Sequence, residues 1–465
     1  MGPDFLRPAA SSQKAYLSNH ADQTGTVAAV GKAQHFNPKQ VLHSDWWHLF
    51  KSAEINQWVD QALAQNPSLE AAKASLRRSQ DAVRAGMGVF YPQVNIGLSA
   101  SHQRNAPLVN GSSLSSAEFN VSTLSGLVSY TLDLFGLERR TVEGLEASAE
   151  AQLNITRAAY LSVEANMVNA AIAKAAYHEV IQLELGLMHD LKLQKQLLEN
   201  QADSGMTSYA GILSVSESLE NSRAALAQSE QKKDQIDHFI SSLLGEDTSQ
   251  ASLPNATLRT MTLPSDLPLS LPSELVRQRP DILIAEAQMH SDSAAVGVAT
   301  AMLWPSISLT AGGGFTRPQL NALNGPSQRF WSIGPSINFP LFTGGTLSYQ
   351  KEAAIQQLVS SEAQYRQTVL NAFANVSDAL TALQHDASYL AALDQVKADA
   401  ELTFTLAELN NAAGLTDYGA VLNARILYQQ AQINYWQAYA QRLQDTVSLF
   451  VSLGGGWWNP PDLHS

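Results

Sequence analysis

Two very long stretches of the chain repeat apolar residues with helical spacing, and each ends at a short break centred on a glycine. The stretches run from about 138 to 201 and from about 349 to 411. At 1.5 Å per residue, a helix of the first length reaches roughly 95 Å. A glycine just past a helix, followed by a Ser or Thr that can cap the next helix, is typical of an αα-hairpin. The pattern therefore predicts two long helical hairpins that turn at Gly205 and Gly414.

Apolar residues recur at alternating spacings of four and three in the second long stretch and in the two helices that follow the glycine turns. This is the pattern of a coiled-coil seam. The predicted seam of the first returning helix contains Ile212, Val215, Leu219, Leu226, Ile236, Ile240 and Leu243. That of the second long helix contains Val369, Phe373, Val376, Leu380, Leu383, Ala387 and Leu390. That of the last helix contains Leu422, Ile426, Gln429, Ile433, Trp436, Ala440, Leu443, Val447 and Phe450.

Four shorter segments alternate apolar and polar residues with a period of two, which predicts β-strands. They span 93–104, 119–132, 306–316 and 330–341. The alternation slips near Thr123-Leu124, which predicts a bulge. Pro335 lies inside a strand pattern, which predicts either a bulge or an unpaired N–H.

The length of these strands suits a membrane. A strand of about twelve residues, tilted by about 45°, stands roughly 28 Å tall, which is the height of the apolar band of an outer-membrane β-barrel. Four strands cannot close a barrel, and an open sheet edge in hydrocarbon costs several kcal/mol for each unpaired group. Several copies must then combine. Three copies give twelve strands around a passage, whereas two give eight strands that side chains would fill.

The second half of the chain repeats the first. Arg279-Pro280 corresponds to Asn66-Pro67, and Trp304-Pro305 corresponds to Tyr91-Pro92, in each case at a distance of roughly 210 residues. The predicted organisation is an N-terminal arm, a first repeat, a connector, a second repeat and a C-terminal tail, at residues 1–65, 66–245, 246–278, 279–454 and 455–465.

Composition removes several classes of function. The formal net charge of −13 leaves no basic stripe to neutralise nucleic-acid phosphates. The absence of cysteine excludes disulfides, thiolate metal sites and a cysteine nucleophile. His43 and His48 have poor metal-ligand spacing and are predicted to be structural. No catalytic set, metal site or cofactor site can be argued from the residues, so the chain is predicted not to be an enzyme.

Several short motifs, in this order, resemble the outer-membrane factor family of bacterial export ducts, and within it the lipoprotein branch that serves RND-type efflux pumps. The motifs are Gly2-Pro3-Asp4-Phe5, Trp46-Trp47, Tyr91-Pro92-Gln93, Gly334-Pro335-Ser336, Phe339-Pro340-Leu341-Phe342, Ala413-Gly414-Leu415-Thr416-Asp417-Tyr418 and Leu453-Gly454-Gly455-Gly456-Trp457. The resemblance covers nearly the whole chain.

The resemblance implies an α+β membrane protein. Its fold would be a trimeric 12-stranded β-barrel with four strands per chain, a long periplasmic α-helical barrel, and a mixed equatorial belt built from 1–65, 246–278 and the tail. The implied partners are two further copies, a periplasmic adaptor protein, an inner-membrane RND-type transporter and outer-membrane lipid. The implied location is the bacterial outer membrane, extending into the periplasm. A lipidated cysteine precedes the Gly-Pro-Asp start in this branch, and this sequence has none.

The resemblance also assigns roles at the two glycine turns. The residues that match the adaptor-contacting tips are Gly205, Met206, Thr207, Gly414, Leu415 and Thr416. The residues that match the periplasmic aperture are Asp417, Gly419, Ala420 and Asn423. Asn423 stands where the family usually has an aspartate, so the expected ring of carboxylates becomes a ring of amides.

Several alternatives stay open. Asp417 can act at the aperture or simply cap the last helix. Arg425 can bridge to a neighbouring helix or form a surface ion pair of little energetic value. The first functional hypothesis is a passive outer-membrane channel of a tripartite efflux pump, gated at the helix tips. A second keeps the fold but serves type I protein secretion or heavy-metal export. A third is a soluble coiled-coil scaffold.

Overall fold

The structure is a computed structural model. It describes residues 2–9, 23–24, 33–37, 40–105, 108–109, 112–113, 117–248, 256–269, 272–317 and 328–459. Parts of the predicted arm, the connector, the two loops between paired strands and the end of the tail lie outside these residues.

Helices account for most of the described chain. The α-helices are α1 (Ala53–Gln65), α2 (Pro67–Met87), α3 (Leu137–Asp203), α4 (Tyr209–Leu244), α5 (Pro272–Gln278), α6 (Pro280–Ala301), α7 (Thr346–Ala412) and α8 (Tyr418–Ser452). Short 3₁₀ helices cover Trp46–Phe50, Gly88–Phe90 and Leu258–Thr260. The two longest helices, α3 and α7, have 67 residues each, which corresponds to about 100 Å of helix. The two long helical hairpins predicted from the sequence are therefore present.

The strands are β1 (Gln23–Thr24), β2 (Gln34–Asn37), β3 (Gln93–Asn105), β4 (Leu108–Val109), β5 (Ser112–Ser113), β6 (Ala117–Leu132), β7 (Asp266–Pro268), β8 (Ser306–Arg317) and β9 (Gln328–Asn338). The chain divides into two compact units. The first contains Met1–Pro8, Ser75–Leu153 and Ile284–Arg366, and the second contains Ala9–Ala74, Asn154–Leu283 and Gln367–Ser465.

In the first unit, the four long strands form one antiparallel sheet in the order β3-β6-β8-β9. Directly paired residues of antiparallel strands point to the same face of a sheet. The register therefore collects Val94, Ile96 and Leu98 on one face together with Leu124, Val128, Ile307, Leu309, Phe315, Trp331, Ile333 and Ile337. The opposite face carries mainly Ser, Thr, Gly and Asn, with Leu127 and Phe330 among them. The sheet thus has one apolar and one polar face.

One prediction about this sheet is wrong, and one of the two alternatives given for Pro335 is excluded. The pairing of β6 with both neighbours runs without interruption through Thr123 and Leu124, so no bulge forms there. The slip in alternation arises because Phe119 and Val121 point to the polar face. Pro335 also lies in regular register opposite Leu309, again without a bulge.

The last strand also ends earlier than predicted, at Asn338 rather than residue 341. Pro340 follows two residues later and has no N–H to continue the ladder.

The N-terminal segment of the first unit lies against α6. The ring of Phe5 stacks on His290 with their centroids 4.3 Å apart, and Arg7 Nε donates to Glu286 Oε1 at 2.5 Å. Asp4 pairs with Arg140 of α3, whose guanidinium also donates to Glu143 at 2.6 Å. These contacts fix a short segment that has no regular secondary structure of its own.

In the second unit the long helices pack side by side. One apolar cluster joins Val180, Leu187 and Leu191 of α3 to Leu219 of α4 and Ile433 of α8. Phe404 of α7 stacks on Tyr428 of α8 at 6.2 Å between centroids. The contacts therefore follow the order α4-α3-α8-α7. Every residue of the three predicted seams is buried or half-buried in this arrangement, so the seams are confirmed.

The aromatic side chains of Trp46, Phe50 and Phe450, here called the aromatic knot, form a core of their own in the second unit. Trp46, Phe50 and Phe450 are fully buried and pack edge to face or tilted, with centroids 5.5–6.4 Å apart. Ser52 then caps α1, since its hydroxyl accepts from the Ile55 N–H at 3.3 Å. Beside this knot, β2 pairs with β1 and β7.

Within the described part of the chain, no helix is long and apolar enough to cross a membrane.

Candidate functional site at the two glycine turns

The turn between α3 and α4 is closed by backbone hydrogen bonds that require a glycine. Gly205 has φ +71°, a left-handed conformation that costs a residue with a Cβ roughly 1 kcal/mol. The Gly205 N–H donates to Ala202 O at 2.9 Å, and the Met206 N–H donates to Gln201 O at 2.8 Å. This pair of bonds is the Schellman motif, which satisfies the last carbonyl groups of a helix. The predicted hairpin turn is thereby explained in atomic terms.

The turn between α7 and α8 repeats the same geometry. Gly414 has φ +73°, its N–H donates to Asn411 O at 2.9 Å, and the Leu415 N–H donates to Asn410 O at 2.8 Å. Asp417 then caps α8, because its Oδ1 accepts from the Ala420 N–H at 2.9 Å. Capping, one of the two roles left open for Asp417, is therefore observed.

The residue after each glycine is a large apolar side chain exposed to solvent. Met206 is 77% exposed and Leu415 is 74% exposed. In many Schellman motifs this position contacts an apolar residue in the last turn of the helix. The residues whose carbonyl groups accept these bonds are the polar Gln201 and Asn410. Both turns therefore present an apolar tip.

The four predicted aperture residues lie in the first two turns of α8 or just before it, and two of them approach α3. A Cβ added at Gly419 would lie 3.4 Å from Leu197 Cδ2. The side chain of Asn423 accepts a hydrogen bond from the amide of Gln194. Asp417 and Ala420 are hydrogen-bonded to each other, since the Ala420 N–H donates to the side chain of Asp417 in the helix cap. The structure thus brings Gly419 and Asn423 to the α3–α8 contact, and their assignment to an aperture stays a prediction.

Arg425 does bridge to a neighbouring helix. Its Nε donates to Asp190 Oδ2 of α3 at 2.7 Å, and a second guanidinium nitrogen donates to the other carboxylate oxygen. The Asp190 side chain is only 3% exposed, against 29% for Arg425, so the pair is not a surface pair. Burial alone would lower the pKa of Arg425, but the hydrogen bonds and charge of Asp190, helped by Tyr418, outweigh it and raise the pKa. Arg425 is therefore held in its charged form.

Sequence reasoning did not single out Asp190. A signal was present, because Asp190 follows Leu183 and Leu187 at spacings of seven and three and so falls on the apolar seam of α3. A carboxylate at a buried seam position requires a cation from another element. Which cation pairs with Asp190 could be identified only once the packing of α8 on α3 was known.

The family of the chain is decided by its match to a family model. The model described as outer membrane efflux protein matches residues 58–246 and 271–455. The chain belongs to this family. This chain is 27% identical over 461 residues to the cation efflux system protein CusC of Escherichia coli O6:H1, and the match covers 98% of this chain and 95% of CusC. It is 26% identical over 460 residues to the outer membrane protein OprJ of Pseudomonas aeruginosa, across 98% of its own chain and 93% of OprJ.

The solved structures agree with this assignment. The outer-membrane channel OprN superposes on this efflux protein with a TM-score of 0.84 at 26% sequence identity, covering 98% of this chain and 99% of OprN. The similarity extends over nearly the full length of each protein. The efflux protein is therefore a protein of the outer membrane, and its family is one of channels.

Proposed function

We propose that three copies of this chain form the outer-membrane channel of a tripartite efflux pump. The channel conducts substrates passively to the exterior and opens at its periplasmic helix tips. The observation that carries the proposal is the four-stranded sheet, which has one apolar face, one polar face and two outer strands that no other described strand pairs with.

The apolar face of the sheet is suited to lipid. Ile96 is 80% exposed and Trp331 is 79% exposed, and the residues around them are exposed as well. Exposed apolar areas of this extent are rare on proteins that face only water. The polar face, rich in Ser, Thr and Gly, is suited to a water-filled interior. A sheet with these two faces matches the outward-apolar, inward-polar pattern of outer-membrane barrels.

The outer strands β3 and β9 require neighbours. Each would leave a row of N–H and C=O groups unpaired in hydrocarbon, at a cost of several kcal/mol for each group. Pairing β9 of one copy with β3 of the next removes both edges at once. Three copies then give twelve strands, which is wide enough for a passage, whereas the eight strands of two copies would be filled by side chains.

The helices support a second, α-helical barrel. In the order α4-α3-α8-α7, the outer helices keep apolar residues exposed, among them Leu213 on α4 and Leu402, Leu406 and Leu409 on α7. These residues would be covered if α7 of one copy packs on α4 of the next. The equal lengths of α3 and α7 and the matching turns at Gly205 and Gly414 support the predicted two-fold repeat and its division at 66–245 and 279–454.

The apolar tips at Met206 and Leu415 are the surface we assign to the periplasmic adaptor, together with Gly205, Thr207, Gly414 and Thr416. Opening is a shift of α7 and α8 relative to α3 and α4, biased by adaptor contact. The channel itself performs no chemistry in this proposal, and the energy for transport comes from the inner-membrane transporter.

Cysteine cross-linking tests the assembly, and the chain offers a clean background because it contains no cysteine. We expect Ser99→Cys in β3 to form disulfides between copies when it is combined in turn with Ser332→Cys, Gly334→Cys or Ser336→Cys in β9. At least one combination should give cross-linked dimers and trimers on a denaturing gel, and no larger species. The matched control is Ser308→Cys with Ser336→Cys, since these residues are direct partners within one copy and should give no ladder.

Channel function is tested on the same protein. In planar bilayers we expect discrete conductance steps, and in detergent we expect a complex with the mass of three chains. A chain that stays monomeric and monodisperse in plain buffer, without a cross-linking ladder or conductance, would be the scaffold of the third hypothesis and would overturn the proposal.

A second cargo class is favoured by one comparison, since CusC is a cation efflux system protein. The predicted aperture provides its test, because Asn423 supplies an amide where a carboxylate would attract cations. We expect Asn423→Asp to raise cation over anion selectivity several-fold, since three carboxylates would then line one ring. Reversal potentials in a salt gradient measure this, with Asn434→Asp, on an exposed part of α8, as the matched control. Equal selectivity in both variants would show that Asn423 does not line the aperture.

A further inference from the structure

The charged residues of the four-stranded sheet lie on one face and at one end. Within β3, β6, β8 and β9 the charged residues are Arg104, Glu118, Arg317 and Arg329. The register places all of them on the apolar face and none on the polar face. The helices join these strands at one end of the sheet, and the charged residues lie toward the other end, next to the segments that connect the paired strands. The apolar face is therefore charged at its loop end only.

The arginines mark the place where the apolar part of this face stops. The last apolar row, in which Arg329 also lies, contains Leu98, Leu124 and Phe315. The rows toward the connecting segments pair Ser122 with Arg317, His102 with Asn120, and Arg104 with Glu118. Polar and charged side chains thus replace apolar ones along both β3 and β6.

Two of the arginines are neighbours across β8 and β9. Arg329 stands opposite Phe315, and Arg317 lies two positions further along β8 on the same face. Such diagonal neighbours are about 7–8 Å apart. The guanidinium carbon of Arg329 lies 5.7 Å from the centroid of the Phe315 ring. This contact holds a cation directly at the edge of the apolar surface.

The charge at this end is opposite to that of the whole chain. The chain has a formal net charge of −13, and its connecting segments 106–116 and 318–327 contain no charged residue. Arg104 lies 3.6 Å from Glu118, but both side chains are exposed, so the pair has little energetic value. Since three arginines stand against one glutamate, the loop end of the sheet has an excess of two positive charges in each copy.

A basic surface at the edge of a lipid-facing area fits an anionic lipid headgroup. Charged side chains are costly at the middle of such an area but not near its edges, and basic residues there attract anionic headgroups. All three cations are arginines, whose paired N–H donors match the oxygens of a phosphate group. At the helix end of the same face, the row of Leu132 and Ile307 with Ile337 has no charged residue. The attraction is therefore confined to one leaflet.

We propose that Arg104, Arg317 and Arg329, here called the arginine surface, bind the phosphate groups of a phosphorylated glycolipid. The apolar rows beside them contact its acyl chains. The lipid lies in the outer leaflet of the outer membrane, because the long helices extend into the periplasm and the loop end of the sheet faces outward. This location rests on the proposed function, whereas the affinity of the arginine surface for the lipid does not depend on conduction and can be measured separately.

Binding of diphosphoryl lipid A to the full chain in a non-ionic detergent tests the arginine surface. We expect the double variant Arg317→Gln with Arg329→Gln to bind at least tenfold more weakly than wild type by native mass spectrometry. Glu118→Gln removes the carboxylate and should bind at least twofold more tightly, which a misfolded variant could not do. The matched control is Arg366→Gln, which changes an exposed helical arginine 3.6 Å from Glu362 and should stay within twofold of wild type.

Lipid A without its phosphate groups separates the headgroup from the acyl chains. We expect wild type to bind it no more tightly than the double variant binds diphosphoryl lipid A. Equal binding of both lipids by wild type, or equal binding of diphosphoryl lipid A by wild type and the double variant, overturns the arginine surface. Displacement of the lipid by millimolar inorganic phosphate would assign the surface to a free anion and overturn the lipid proposal.

The outcomes separate the arginine surface from the channel. A protein that cross-links into trimers and conducts, but binds diphosphoryl lipid A without dependence on its arginines, overturns the arginine surface alone. Arginine-dependent binding by a chain that neither forms trimers nor conducts would leave the arginine surface standing and remove the channel proposal.

Discussion

Arg425→Gln should raise the open probability of the channel at least tenfold in planar bilayers. The substitution leaves the Asp190 carboxylate buried at the contact of α3 with α8 without its cation, and breaking a buried ion pair from one side costs about 3–5 kcal/mol. The side chain of Asp190 is 3% exposed, so water cannot replace the guanidinium while α8 stays packed on α3. Separation of α8 from α3 admits water to the carboxylate. The substitution therefore favours the open arrangement.

The chain offers a matched control for this prediction. Arg223 of α4 pairs with Glu220 one turn away at 2.8 Å, and both side chains are 57% exposed. Such a surface pair contributes at most about 1 kcal/mol, so Arg223→Gln should leave the open probability unchanged. The double variant Asp190→Leu with Arg425→Met should return the channel to low open probability, since apolar residues can replace a buried pair. An Arg425→Gln channel that opens no more often than wild type would show that the pair does not resist opening.

Glu164→Gln should strengthen the attachment of the aromatic knot to α3 at pH 8 and leave it unchanged at pH 4. Glu164 is buried and accepts from Trp46 Nε1 at 3.3 Å. Burial raises the pKa of Glu164 from 4.5 to about 7, and the hydrogen bond from Trp46 only partly opposes this. The folded state therefore keeps a proton that the unfolded state has lost. The stability of the knot is full below pH 4.5, declines as pH rises, and stays at its lowest value above about 7.

The size of this effect follows from the pKa shift. Each pKa unit corresponds to about 1.4 kcal/mol, so ionisation of Glu164 weakens the knot by about 3 kcal/mol at pH 8. A neutral glutamine avoids this loss, and its oxygen can still accept from Trp46. Hydrogen exchange of the amides of 46–50, corrected for intrinsic rates, should slow by at least tenfold at pH 8 in Glu164→Gln.

The control for the knot is Glu217→Gln, which changes an exposed carboxylate on α4 and should not alter exchange at 46–50. If Glu164→Gln exchanges as fast as the wild type at pH 8, then Glu164 is ionised in the folded protein without penalty, and the predicted pH dependence is wrong.

Glu164 and Asp190 share one physical situation. Each is a carboxylate on a long helix that is partly or fully removed from water by a second element. The carboxylate of Asp190 receives a guanidinium from α8, whereas the carboxyl group of Glu164 receives an indole N–H. The group that a buried carboxylate contacts decides whether the carboxylate forms an ion pair or has a raised pKa.

The secondary structure was predictable because it depends on local pattern. The two 67-residue helices have an unbroken helical period, and the turns at Gly205 and Gly414 have the one residue type that adopts a left-handed backbone at little cost. The strands were predictable from their period of two. The bulge predicted near Thr123-Leu124 was wrong, and the bulge given as one alternative at Pro335 does not form, because a change in alternation or a proline describes one strand only. Whether a bulge forms depends also on the hydrogen bonds to the neighbouring strand.

The sequence by itself determined which segments are helix and strand, where the long hairpins turn, and which face of each helix is apolar, since these properties arise between residues a few positions apart. Only the tertiary structure decided that Arg425 reaches Asp190 and that Trp46 covers Glu164. These partners are separated by 118 and 235 residues, and the pKa of a buried carboxyl group depends on which element removes it from water. A pattern along the chain contains the residues of such a contact, but packing alone selects the pairs.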